Sequence, residues 1–391
     1  MNNVSYKKAI ELLEKCSSAE GFLASAQNIS NYKRVWARDG VICGLAALAS
    51  GDKKLIETFK NTLETLARNQ YEIGTIPSNV MTSDDKVDVS YGGLAGRVDA
   101  VTWYIIGICQ YAFHQNDEAF VNKHKASIEK CLSLLNAWEF NNKHLLYVPL
   151  SGNWADEYIT DGYVLYDQLL RIWALKSFNH FEKSEALATK IEKIKEQIES
   201  NFFPDSIGEK YHEKAYDEIE FNGFFPCSFS PAGYKNNFDA FAASLLILLN
   251  IGSRDFQQKI ARHAFTLASS TQLGLLPAFW PPIFEDDEHW NLLKNNCKYE
   301  FRNFPYEFHN GGSWSMVNGF FGLALHSISE NEKATTILDK INNANAKENF
   351  AFYENFNTNT QQSNGVAYCA WSAAAAVLVT QTIRSNYKML V

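Results

Sequence analysis

Carboxylates and aromatic rings crowd into the same stretches of this chain. Asp156 lies in Gly152-Asn153-Trp154-Ala155-Asp156-Glu157-Tyr158, between two rings placed to desolvate it and raise its pKa, as a proton donor requires. Glu354 lies in Phe352-Tyr353-Glu354-Asn355-Phe356, a similar aromatic surround. Splitting a glycosidic bond needs two such groups: one protonates the leaving oxygen, and the other activates water or attacks directly. Asp39, Asp99, Glu157, Asp161, Asp239 and Glu307 are further candidates. Asp39, Asp99 and Asp161 stand where helices open and read equally well as caps. Trp36, Trp154, Trp280, Trp290, Trp314, Tyr91, Tyr158, Tyr306 and Tyr353 fall in or beside the same stretches, whereas Trp103, Trp138, Trp173 and Trp371 sit on predicted helices and read as core. Sugars offer C–H faces to rings and hydroxyls to Asp, Asn, Arg and Glu. A carbohydrate site is the better reading than a hydrophobic cofactor pocket, which would have fewer charged neighbours.

The elements that must hold these residues follow from loop lengths. Long segments near 26–38, 71–98, 141–161, 202–236, 272–313 and 347–367 alternate with very short turns at 50–52, 114–117, 179–183, 250–254 and 327–331. A short turn makes its two helices antiparallel neighbours, so the long loops all emerge at one end. Stretches after long loops (40–49, 100–113, 238–249, 314–327, 369–382) are apolar or small all round, as helices buried on every side are. Stretches after short turns (53–69, 117–137, 183–200, 255–269) alternate charge and apolar residues at helical spacing, as outer helices with one wet face do. A solenoid would alternate in the same way, but its units would share a fixed length and consensus, and these do not. The expected fold is all-α: an (α/α)6 toroid of six helical hairpins, a single catalytic domain over 1–391 with one mouth.

Composition narrows the function further. The chain has 391 residues and a formal net charge of −8, which argues against nucleic acid or anionic lipid as a partner. MNNVSYKKAIELLEKC reads as an amphipathic helix rather than a signal peptide, and no apolar run is long enough to span a membrane. Seven cysteines form no CxxC pair and read as buried thiols, which fits a cytoplasmic location. The nine histidines form neither HxH nor HExxH, so neither metal nor cofactor is expected. The expected partner is a small carbohydrate.

Ordered motifs then resemble a known group, the inverting α/α-barrel glycoside hydrolases: alkaline/neutral invertases, processing α-glucosidases and the amylo-1,6-glucosidase part of glycogen-debranching enzymes. The resemblance covers about residues 30–385. Trp36-Ala37-Arg38-Asp39 matches their W-x-R-D, and Gly74-Thr75-Ile76-Pro77-Ser78 their G-x-I/M-P. Gly96-Arg97-Val98-Asp99 with Trp103 is similar to the G-R-V…D…W that opens their fourth helix. Trp154-Ala155-Asp156 matches the loop of their acid, and Phe308-His309-Asn310-Gly311-Gly312-Ser313-Trp314 resembles Y-H-N-G-G-x-W. Tyr353-Glu354-Asn355-Phe356, with Gly365 and Trp371-Ser372-Ala373, resembles the segment of their base.

The resemblance implies Asp156 as general acid and Glu354 as the base that activates water. Trp36, Arg38 and Asp39 are implied contacts to the reacting sugar, with His309, Asn310 and Trp314 lining the same pocket. Asp99, Trp154, Glu157 and Tyr158 complete the expected binding set. Two departures, Glu157 where the invertases carry Arg and Ser315 where a Pro follows the Trp, point away from sucrose. No counterpart of the N-terminal β domain of debranching enzymes is seen, which suggests a short substrate held in a pocket. The implied substrate is an α-linked glucoside attacked from its non-reducing end, although the residues do not separate α-glucose from α-mannose. An epimerase would want a pair of mouth histidines, and only His309 has such a setting; a lyase would want basic residues in place of an acidic mouth. A non-catalytic sugar-binding toroid would have little use for two caged carboxylates.

Overall fold

The computed structural model describes residues 3–391 apart from 84, 85 and 222. Its helices are α1 (Asn3–Lys15), α2 (Ala37–Ser50), α3 (Lys53–Arg68), α4 (Val98–Gln115), α5 (Glu118–Ala137), α6 (Leu165–Glu182), α7 (Glu185–Phe202), the short α8 (Glu213–Asp217), α9 (Ala240–Leu248), α10 (Arg254–Ser270), the short α11 (Trp290–Asn295), α12 (Ser315–Ser327), α13 (Asn331–Asn345), the short α14 (Lys347–Phe350) and α15 (Ala370–Ser385).

The ring closes. α2 packs on α4, α4 on α6, α6 on α9, α9 on α12, α12 on α15, and α15 returns to α2. Outside lie α3 against α2, α5 against α4, α7 against α6, α10 against α9 and α13 against α12. The amphipathic N-terminal helix supplies the remaining outer member, α1 against α15. The solenoid alternative is thereby excluded, and the architecture is the expected (α/α)6 toroid.

Local chemistry explains the hairpins. Gly51, Asn116 and Lys183 end inner helices in the left-handed conformation, and Asp52, Asp117, Ser184 and Ser253 cap the outer helices beyond these turns. Inner and outer helices approach closely where side chains vanish: a Cβ on Gly44 of α2 would sit 2.0 Å from the Phe59 ring of α3. At the end away from the long loops, the C-terminal tail seals the ring. The Gln110 side chain holds both backbone groups of Leu390, and Trp173 Nε1 donates to the Leu390 carbonyl at 2.7 Å.

The long loops are stitched to one another around the mouth. Val35–Trp36 pairs with 79–80, Tyr163–Val164 with 228–229, and Phe238–Asp239 with Phe279–Trp280. Ser313 bridges to Phe356, Ser25 bridges to Cys369, and the Val98 amide donates to the Gly152 carbonyl at 2.7 Å. Each loop is therefore tied to both neighbours, which gives side chains on them a rigid frame. Among the described residues no helix is long and apolar enough to cross a membrane. Six of the cysteines are buried as expected, whereas Cys297 is exposed.

Candidate active site

The N-terminal ends of the inner helices converge on a cavity of about 420 Å³ inside the loop rim. Its lining includes Trp36, Arg38, Asp39, Trp154, Asp156, Glu157, His309, Trp314 and Glu354. These residues come from the first, third, fifth and sixth loops and the helices they open, and only the fold brings them together.

Arg38 and Asp39 occupy the first turn of α2, where unpaired backbone amides favour an anion. Arg38 is buried, donates from Nη1 to Asp99 Oδ2 at 2.7 Å, and lies with its guanidinium 5.7 Å from the Trp371 ring centre. Tyr166 donates to the same Asp99 oxygen at 3.2 Å, and Trp103 Nε1 donates to the Tyr166 hydroxyl at 3.0 Å. Burial works against the charge on Arg38, but Asp99 and then Asp39 outweigh it and push its pKa up. Burial also raises Asp39 to about 6, with Arg38 opposing and Asp99 and Asp156 adding to the rise.

The capping reading of Asp39 and Asp99 does not hold: α2 and α4 have no side-chain cap, since Trp36 and Arg97 occupy the cap positions. Asp99 was expected on the sugar but is absent from the cavity lining; it is 1% exposed and buttresses Arg38 from behind. A lysine at 38 would keep the charge but not the planar fork that reaches both Asp99 and a sugar's vicinal hydroxyls. Arg38→Lys should therefore fold normally and lose several-fold to about a hundredfold in kcat/KM. Unchanged kinetics with lowered thermal stability would make the residue a purely structural one.

Asp156 and Glu354 are held differently. Asp156 Oδ2 accepts from Arg97 Nη2 at 2.7 Å, and Oδ1 has no hydrogen-bond partner among the described residues. Arg97 in turn grips the carbonyls of Gly92, Ala95 and Ser151, so one guanidinium staples the second loop to the third. The expected aromatic cage around Asp156 is not formed: Trp154 and Tyr158 turn inward and stack on Phe279. Glu354 is 6% exposed, accepts from the Tyr32 hydroxyl at 2.6 Å and from the Val366 amide at 3.3 Å. Its neighbour Gly365 has φ +75°, and a Cβ there would meet Glu354 Oε2 at 2.2 Å, so this position must be glycine. Burial raises Glu354 to about 7, against the Tyr32 hydrogen bond and Arg302, with Asp39 adding to the rise. Its cage is therefore Tyr32 and the loop backbone; Tyr353 turns away to Glu348.

Glu157 is fully engaged. Arg302 Nε donates to its two oxygens at 3.1 and 3.0 Å, Nη2 adds a shorter bond, and Asn303 Nδ2 donates to its backbone carbonyl. That leaves Asp156 as the carboxylate on this loop with an oxygen free for proton transfer.

The walls are Trp36, Trp154, Trp314 and His309. His309 stacks on Trp314 with ring centres 4.9 Å apart; burial, with Arg302 and Arg38 assisting, lowers its pKa to about 3, so it stays neutral. Tyr158 and Asn310 were expected on the sugar and are not in the lining: both are fully buried. Asn310 instead ties Ile283 and Asn303 together through its side-chain amide. Trp371 is buried in the core, as expected, and its ring also lines the cavity near the Arg38 guanidinium. Asp161 pairs with Lys235 rather than capping a helix, and Glu307 accepts from Asn357; neither lines the cavity. Ser315, one of the departures from the invertase pattern, donates to Asn345.

Tyr32, Arg302 and Phe308 line the site and were not singled out from the sequence. Tyr32 sits a few residues before the stretch that the W-x-R-D motif marks, and a loop tyrosine there was the available signal.

Asp239 is a true N-cap, accepting from the Phe241 and Ala242 amides, yet burial raises it to about 7. A folded pKa above the unfolded value of about 3.9 means that its contribution is fully present below about pH 4 and is lost as pH rises through 7. Asp239→Asn keeps the capping oxygen and removes the charge. The variant should gain roughly 1–3 kcal/mol over wild type at pH 8 and little at pH 4. Thermal denaturation at the two pH values reads this, and an equal difference at both would refute it.

No protein-family model matches the chain, and no curated protein matches it in sequence. Solved structures match in fold. The GH63 mannosylglycerate hydrolase of Thermus thermophilus, in complex with Tris and D-glycerate, is similar with a TM-score of 0.70 at 13% identity, over 96% of this chain and 100% of that one. A rhamnosidase from Klebsiella oxytoca with rhamnose bound gives 0.65 at 13% identity, over 99% and 64%. A bacterial glucoamylase complexed with acarbose gives 0.67 at 15% identity, over 99% and 56%. At such identities the likeness establishes the fold alone, the (α/α)6 toroid.

Proposed function

We propose that this protein is an inverting, exo-acting glycoside hydrolase that cleaves a short α-linked glycoside, with Asp156 as general acid and Glu354 as general base. The observation that carries the reading is one cavity in which two separately anchored carboxylates stand over a floor of Arg38, Asp39 and tryptophan rings. Asp39 responds to the charge of Asp156 and in turn raises Glu354, which puts all three within electrostatic reach. A neutral, buried His309 suits a wall that a sugar hydroxyl meets, and gives no second titrating histidine for epimerase chemistry.

The division of roles follows from how each group is held. Asp156 is the more open of the two, partly exposed where Glu354 is buried, and its Oδ1 has no hydrogen-bond partner among the described residues. Glu354 is enclosed and fixed through both oxygens, which aims it at a single bound water. Its Tyr32 hydrogen bond and the nearby Arg302 both favour the ionised form that a base requires. Three likenesses support the class: the Thermus enzyme hydrolyses mannosylglycerate by its description, and the other two are a rhamnosidase and a glucoamylase.

One observation favours exchanged roles. Glu354, raised to about 7, is half-protonated near neutrality, and Asp156 is paired with a guanidinium, so an acid at 354 and a base at 156 is the second reading. The class itself is tested with a panel of α-glucosyl and α-mannosyl disaccharides, glycosylated polyols and glycosyl fluorides, scored by released monosaccharide. Turnover of an α-glucoside fits the resemblance, turnover of an α-mannoside the Thermus likeness, and inertness toward the whole panel defeats the proposal.

A further inference from the structure

The proposed reading accounts for the sugar end of the cavity but leaves a charged device at its mouth unused. Arg302 belongs to the fifth loop and is half exposed, yet it is rigidly placed. One edge of its guanidinium, Nε and Nη2, is locked onto the Glu157 carboxylate, and its face lies 4.7 Å from the Phe308 ring centre. Nη1 makes no hydrogen bond among the described residues. Arg302 favours the ionised form of Glu354 and helps to keep His309 neutral, although it forms no ion pair with Glu354. A guanidinium held in place, with one nitrogen not engaged among the described residues, thus lines the cavity beside the residue next to Asp156.

Charge decides what that nitrogen can bind. Arg38 and Arg302 line the cavity against Asp39, Asp156, Glu157, Glu300 and Glu354. Each arginine is already committed to a carboxylate, and Arg97 behind Asp156 is likewise spent. A carboxylate on an incoming leaving group would meet a surplus of negative charge. A hydroxyl would find in Nη1 a donor and in Glu300 an acceptor. The cavity, about 420 Å³, lies toward the small end of the ~300–1,000 Å³ range of ligand pockets, so only a short group fits beyond the reacting sugar.

We infer that Arg302, clamped by Glu157, forms the leaving-group subsite, and that the carboxylates around it make this subsite select a neutral, polyhydroxylated leaving group, a second sugar or small polyol, over one bearing a carboxylate. This rests on the hydrolase reading above. Arg302 binds the hydroxyls of the leaving group, and Glu157 positions it.

The test compares three substrates with the same glycone: the α-glycosyl fluoride, whose leaving group has no hydroxyl, the α-glycosyl glycerol, and the α-glycosyl glycerate. Wild type should favour the glycerol compound over the glycerate by roughly tenfold or more in kcat/KM, since like-charge repulsion opposes the latter. At a pH well above 7, where Glu354 is ionised with or without Arg302, Arg302→Met should lose about ten- to a hundredfold on the glycerol compound, mainly through KM, and change less than about threefold on the fluoride. Arg302→Lys, which keeps the charge and guards against misfolding, should recover only part of that loss. Glu157→Gln should move in the same direction by a smaller amount. Preference for the glycerate overturns the neutral class, and an equal loss on fluoride and glycerol compound overturns the subsite. Wild type inert on every fluoride and glycoside would instead remove the hydrolase reading beneath it.

Discussion

Glu354→Ala should reduce hydrolysis of a natural substrate by roughly 10²–10⁴-fold, whatever the leaving group, because nothing remains to activate the water. Added azide, which needs no base, should restore turnover and yield a glycosyl azide of inverted configuration. The pH profile carries the same assignment. A base must be ionised, and burial raises Glu354 to about 7, so kcat/KM should climb as pH rises through that value. Tyr32→Phe removes the hydrogen bond that favours the carboxylate and should move this limb to higher pH. If Glu354→Ala is instead spared on glycosyl fluorides and indifferent to azide, Glu354 is the acid, and the exchanged-role reading takes over.

Asp156→Asn keeps the shape and the Arg97 contact but removes the proton donor. Turnover of natural glycosides should fall by roughly two to four orders of magnitude, and that of a glycosyl fluoride much less, since fluoride leaves with little protonation. Glu157→Gln provides the contrast on the same loop. Glu157 is tied to Arg302 and Asn303, so its variant should lose affinity on the leaving-group side without the dependence on leaving-group acidity that marks a lost acid. A near wild-type rate for Asp156→Asn, alongside a collapse for Glu157→Gln, would transfer the acid to Glu157.

The ring was legible because turn length and helix polarity are local properties. Short turns fixed the antiparallel pairs, and helices such as α9, apolar on every face, had to lie inside. The lining of the cavity was legible where motif and fold coincide, at Trp36, Arg38, Asp39, Asp156, Glu354, His309 and Trp314. Loop-internal packing was not. Sequence proximity suggests that Trp154 and Tyr158 cage Asp156, but the loop turns repeatedly over 151–159, so neighbours in sequence need not share a face, and these rings go to the Phe279 stack. Asp99 and Asn310 sit inside motifs that mark the pocket, yet they serve as its buttress rather than its wall. Trp371, in the first turn of an inner helix, is buried in the core as its sequence position suggests and also lines the cavity. Contacts between loops far apart in sequence, Tyr32 with Glu354 and Arg302 with Glu157, depend on ring closure and have no local signature.

The central claim is that water, activated across the ring from the acid, displaces the leaving group in one step with inversion. Proton NMR of the first turnovers of an α-linked substrate, recorded before mutarotation, tests it most directly. The β-anomer of the released sugar should appear first and decay toward the equilibrium mixture. Initial appearance of the α-anomer, or a covalent glycosyl adduct on Glu354, would contradict it.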